Sequence, residues 1–395
     1  MIAGLTIQGG DNINSGAGIQ VIGATSILTL QSGARVTAND AASFGSGIFA
    51  STNAQVTVTG TGTAVTANLG ATNGGGIAAL SGADVFIQDG ATVSNHTGTP
   101  GSNGGGVYLF GTGTTLTVQN GGTISGNDAT TFGSGIFADT LAQVTVTGTG
   151  SAVTANLGAT NGAGIYAQGG ADVFIQSGGT VSNHTVTTGS GSGVYLTGSG
   201  STLTVDNASI SGNTNAGFGG GIYAITSAAV TLQNGAVISQ NAATTSGGGI
   251  YMATSAGALS VTASRITFNT AGGDGDAIFQ AGGSSAVSNS CIVCNGDNAV
   301  DYSGGTTPLT LGGNWWGSVW GPYHSTSANG LQCSPGDSLN GANALANYGI
   351  SVTTPSASCS AAPVGNWLTV ATAGCTGNEI STVSSIGHAR TCVGP

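Results

Sequence analysis

Lysine is absent from this 395-residue sequence, and arginine occurs only at Arg35, Arg265 and Arg390. Charged residues make up 4% of the chain, against ~25% in an average soluble domain. The 14 acidic residues leave a formal net charge of −11. Three cations cannot neutralise a row of phosphates, so nucleic acid is excluded as a partner, and so is a basic grip on an anionic membrane. No apolar run reaches the ~20 residues of a spanning helix, so no direct membrane span is expected. Cysteine and tryptophan are missing from the first 290 residues. Nothing there is held by disulfides.

Glycine, with 74 residues, is what the chain has in excess. That composition would suit a disordered linker, except that 39% of residues are hydrophobic and recur at fixed intervals. Glycine-rich tetrapeptides ending in Ile or Val begin at Gly16, Gly45, Gly74, Gly104, Gly133, Gly162, Gly191, Gly219 and Gly247, 28 to 30 residues apart, and Gly275 continues the series. A second feature, an Ile or Val followed three residues later by Asn, ends at Asn39, Asn68, Asn127, Asn156, Asn213, Asn241, Asn269 and Asn295. His96 and His184 occupy the same place in the two units that lack the Asn. Above this lies a three-unit duplication: the segment starting at Phe44 returns at Phe132, 88 residues on.

Each unit reads as three short strands separated by Asn- and Gly-containing turns. The second alternates strictly, as in Val144-Thr145-Val146-Thr147, with valines inward and threonines outward. Strands this short bury nothing alone, but stacked units bury a continuous core. The expected fold is therefore all-β: a right-handed parallel β-helix of about eleven coils, each advancing ~4.8 Å. Inward ladders should run through Ile136, Ile165, Val194 and Ile222, and through Val144, Val173, Leu203 and Val230. The recurrent Asn, with His96 and His184, should form a structural ladder at one turn. Leu5-Thr6-Ile7 reads as a third strand whose first and second strands are missing upstream, so a native chain extending beyond Met1 is expected.

Composition changes near residue 290. All six cysteines, all four tryptophans and six of the seven prolines lie beyond it. Asn314-Trp315-Trp316-Gly317 with Gly321-Pro322 should cover the last open core layer. The division expected is a β-helix with its cap over 1–322 and an irregular, disulfide-containing appendage over 323–395. Cys291, Cys294, Cys333, Cys359, Cys375 and Cys392 point to structural disulfides and an oxidising compartment. Cys291 and Cys294 have redox-motif spacing, but side chains on one extended strand face opposite ways. Each should pair elsewhere, or Cys294 should stay a buried thiol.

GGGIYA and GSGVYL followed by IxxN resemble the polymorphic outer-membrane-protein repeats first described in chlamydiae, and the terminal NWWG…GP resembles that of large bacterial surface proteins. The likeness covers about residues 5 to 322. It implies a non-catalytic extracellular or cell-surface role as adhesin or scaffold. The alternatives are a subunit of a self-assembling extracellular fibre, or a polysaccharide-binding or polysaccharide-cleaving β-helix. The partners implied are other copies of the chain, or a protein or glycan on a host or neighbouring cell.

The residues themselves argue against catalysis. Polysaccharide lyases of this shape cluster several Asp with Lys or Arg. Here Asp84 and Asp172 sit three coils apart, ~14 Å, and no lysine exists. Gly387-His388-Ala389-Arg390 resembles a polygalacturonase element but lacks the paired aspartates. Ice binding needs an unbroken threonine array, and Phe86 and Phe174 interrupt the outward row of strand two. No cofactor is expected. Asp274, Asp276 and Asp297 make a weak calcium candidate, since hard cations favour clustered oxygens. The residues after the inward Ile or Val of strand one should form an outward, partner-binding strip: Phe49, Tyr108, Phe137, Tyr166, Tyr195, Tyr223, Tyr251 and Phe279, with Ala78 as its gap.

Overall fold

Apolar–polar alternation over four or five residues buries one side of a strand and wets the other. The computed structural model stacks such strands into three parallel sheets, two of 11 strands and one of 12. It describes residues 1–12, 14–296, 298–303 and 310–314, with further short strands at Leu339–Asn340 and Ser351–Val352. Strand one of a coil is exemplified by Ile136–Asp139, strand two by Gln143–Thr147 and strand three by Ala152–Thr154. Each pairs in parallel with its counterpart one coil on. The described chain is a right-handed parallel β-helix. Of the NWWG cap only Asn314 is described, buried and bonded to Ser290 and Val287; Trp315, Trp316, Gly317, the boundary at 322/323 and the appendage's four cysteines lie outside the described residues.

The core is a set of axial ladders. Ile136, Ile165, Val194 and Ile222 are paired in register and fully buried, as are Val144 and Val173. Leu203 and Val230 continue the second ladder. The first coil differs from expectation. Ile2–Ala3 pairs with Leu30 and Gln31, so the end of strand two is present as well as strand three at Thr6–Gln8. A fourth ladder was not foreseen. It pairs Thr185–Val186, Thr214–Asn215, Ala242–Ala243 and Thr270–Ala271 in the turn after strand three, and single bridges carry it back through Leu157, Asp128, Thr97 and Leu69 to Asp40. Two-residue strands leave no periodic trace in sequence.

The turn from strand three into this fourth ladder is set by one left-handed residue. Ala38, Ala67, Asn95, Ala155, Asn183, Gln240, Phe268 and Cys294 all hold φ between +51° and +59° there. Such a conformation costs a non-glycine residue on the order of 1 kcal/mol. That alanine, phenylalanine and cysteine all accept it means that the next residue, the ladder Asn or His, imposes the geometry.

The two glycines of GxG then have separate jobs. Gly191, at φ +64°, lies under the aromatic row, where a Cβ would stand 2.9 Å from Tyr195 Cβ. Gly193 faces the amide ladder, where a Cβ would stand 2.5 Å from the Gly221 carbonyl oxygen and 2.9 Å from Asn213 Nδ2. GxG and IxxN are thus two halves of one corner. Gly193→Ala introduces no positive-φ strain, so its effect is steric alone. We expect it to cost about 1–3 kcal/mol in urea unfolding, the range for overpacking a filled core. An unchanged midpoint would mean that the corner has room to spare.

Candidate functional site

The buried corner is the most ordered polar feature of the chain. Asn213 donates from its backbone N–H and from Nδ2 to Asn241 Oδ1, at 3.1 and 2.8 Å, and Nδ2 also donates to the Val181 carbonyl at 3.4 Å. Asn241 repeats the set on Asn269 and Ile210, and Asn269 on Asn295 and Ile238. Asn39 and Asn127 do the same with Asn68 and Asn156. None of these side chains touches solvent appreciably. The oxygens of Asn68, Asn156, Asn241, Asn269 and Asn295 each collect two donors, and each amide nitrogen adds a bond to a strand-three carbonyl of the preceding coil.

His96 and His184 enter the same ladder with fewer bonds. Asn68 N–H donates to His96 Nδ1 at 3.0 Å, and His96 Nε2 lies 3.1 Å from the Val65 carbonyl, which assigns the proton to Nε2. His184 stands in the same way between Asn156 and Val153, at 3.0 Å from each. An imidazole has one lone pair and one proton to offer, so the side-chain-to-side-chain link is dropped on both sides of each ring. Burial lowers both groups to about 4, keeping the rings neutral at pH 7.

The aromatic strip is ordered but more covered than the sequence suggests. From Tyr108 through Phe137, Tyr166, Tyr195, Tyr223 and Tyr251 to Phe279, successive ring centroids lie 4.8 to 5.4 Å apart and nearly parallel. The rings point away from the core, yet Phe137 and Tyr166 are only 4% and 6% exposed. The expectation of a strip open along its whole length is corrected here. The cover comes from Phe44, Phe132 and Phe218. Phe132 stacks on Tyr166 at 4.5 Å, Phe218 packs on Tyr251 at 4.7 Å, and Phe44 reaches both Phe49 and Tyr108 across the Ala78 gap, at 6.3 and 6.0 Å. Sequence reasoning missed these three, although they recur 88 and then 86 residues apart, each directly before the first glycine. With both faces of the inner rings occupied, only ring edges remain for a partner. Burial pushes the phenols of Tyr108, Tyr166, Tyr195 and Tyr223 up to about 12, so they stay protonated donors.

Asp84 and Asp172 do not converge. Thr115 Oγ1 donates to Asp84 at 2.6 Å and Thr202 Oγ1 to Asp172 at 2.5 Å. The acidic turn has an anchoring role instead of an open donor set. Buried Asp276 accepts from Ala271 N–H at 2.5 Å and Asn298 N–H at 2.8 Å, and Asp274 accepts from Asn298 Nδ2 at 2.9 Å. In earlier coils a hydroxyl, Ser46 or Ser134, bridges two amides from the same position. Asp297 lies outside the described residues, and among those described no group of three His, Cys, Asp or Glu is arranged for a metal. Asp301 was not anticipated. It pairs over Phe279 at the end of the aromatic row, and burial with the nearby Asp274 raises its carboxyl to about 6.

Cys291 and Cys294 are both buried and disulfide-bonded, on either side of the core residue Ile292. Gly387-His388-Ala389-Arg390 lies outside the described residues. A family model described as a right-handed beta helix region matches residues 142–315. The chain is similar to that family over those residues, which hold the later part of both ladders. No curated protein and no solved structure matches it.

Replacing a ladder amide removes several bonds at once. Asn213→Ala would remove the Nδ2 bonds to Asn241 and to the Val181 carbonyl, and take away the acceptor of the His184 N–H. We expect a loss of about 3 kcal/mol or more in urea unfolding. Asn207→Ala, at a turn outside the corner, is the control and should cost well under half as much.

Proposed function

We propose that this chain acts outside the cell as a non-catalytic adhesin or scaffold, the repeat-bearing part of a bacterial surface protein. The GGGIY…IxxN repeats and the terminal NWWG…GP, like those of chlamydia-type surface proteins, support the reading. The observation that carries it is how the outward polar groups are used. Gln168 donates to Asp139, Gln233 to Asp206, Thr59 to Asp89, Thr115 to Asp84 and Thr202 to Asp172, each bond joining one coil to its neighbour. Acids committed along the axis in this way stiffen a rod, and these five are held by their neighbours in place of a substrate. Late cysteines and a surface almost without charge suit an oxidising, extracellular setting.

A fibre subunit is the second reading, favoured by one feature. Leu69 and Leu157 are 48% and 50% exposed at equivalent turns three coils apart. Two matching apolar points on one face give a second copy a register to dock in.

Electron microscopy of native material separates these readings. Isolated cell-surface stalks are expected, periodic filaments would favour the fibre, and material confined to the cell interior would overturn both. The partner surface is then expected at the half-exposed end of the strip. Tyr195→Ser with Tyr223→Ser should leave the β-sheet spectrum intact and reduce adhesion at least several-fold. Undiminished adhesion by the folded variant would remove the strip as the interface.

A further inference from the structure

We propose that His96 and His184 make the solenoid acid-sensitive, so that it opens locally at two rungs, three coils apart, when a second proton is forced onto each ring. The argument begins with geometry. His96 Nδ1 already receives the Asn68 N–H, and His184 Nδ1 receives that of Asn156. A proton added at Nδ1 would point at an existing donor, so the bond must break. The ring cannot escape by turning over, because Nε2 is held by the Val65 or Val153 carbonyl and backs onto Gly76 or Gly164, where even a Cβ would come within 2.6 or 2.8 Å.

Nothing around either ring compensates a positive charge. His96 faces Asn68 and Asn127, the Val65 carbonyl and Gly76; His184 faces Asn156 and Asn213, the Val153 carbonyl and Gly164. The backbone carbonyl of each histidine accepts a bond as well, from Asp128 N–H and from Ser192 Oγ respectively. The one ionisable side chain on these neighbours is Asp128, and its carboxylate lies over Gly158, in the next coil up. The Asn241 side chain, by contrast, bonds only to Asn213, Asn269 and the Ile210 carbonyl, none of which titrates.

The sign follows from linkage. An unfolded histidine takes its proton near 6.5, whereas these folded ones resist to about 4. The contribution of each neutral ring is complete above 6.5 and is lost as pH falls from 6.5 to 4. Over that window each histidine shifts the local opening equilibrium roughly 100-fold towards the open state. Asp301 works in the opposite direction, since its raised group binds a proton more readily when folded.

Hydrogen exchange read by mass spectrometry at pH 7 and pH 4, corrected for intrinsic rates, tests this within one protein. Segments 64–69 and 152–157, which hold the Asn68 and Asn156 amides, should lose protection at pH 4, while the Asn-only segment 237–242 keeps it. The double variant His96→Asn/His184→Asn should keep protection in both histidine-facing segments and hold a level urea midpoint from pH 6.5 to 4, where the wild type falls. Equal protection in all three segments at pH 4 overturns the proposal. So does a variant whose midpoint falls as the wild type's does, because carboxylates would then account for the acid response.

Discussion

One buried amide per coil has to find its partners within a single rung spacing, and the rest of the corner is arranged so that it can. The chain leaves strand three through a left-handed residue, places Asn or His inside, and spends its side-chain donors on the next amide and on a carbonyl of the previous coil. An unpaired amide there would carry the full cost of desolvation. The bonds can be made only when an identical corner sits directly above and below. That condition forces parallel stacking in register and makes each coil depend on its neighbours.

Glycine follows from the same constraint. The ladder amide occupies the space over Gly193 and its equivalents, while the aromatic row lies on Gly191 and its equivalents. A rod with few charges, four tyrosines stacked in succession and carboxylates bonded along the axis is stiff lengthwise and offers partners mostly edges. The surface-scaffold role proposed for it would rest on that stiffness. The two histidines are the places where the axial network is thinnest.

The coil period, the inward Ile and Val ladders and the membership of the amide ladder were legible because each repeats in sequence at the spacing of one rung. The aromatic row was legible for the same reason, at one position after the inward residue. Its degree of cover was not. Phe44, Phe132 and Phe218 repeat every third coil, and nothing local says that a ring placed before a glycine folds back over the row. The bonding within the acidic turn was hidden for a related reason. Asp276 reads as a free carboxylate until the amides of Ala271 and Asn298 are found within reach.

The sequence by itself determined the repeat length, the all-β parallel architecture and the residues of both ladders, because alternation within strands and identity between coils are one-dimensional signals. Tertiary structure decided what each ladder residue does. Whether a histidine is neutral, whether a tyrosine is covered and whether an aspartate is already bonded depend on groups about 30 residues away in the chain and one rung away in space. Proximity of that kind is created by stacking, so it exists only once the coils are closed.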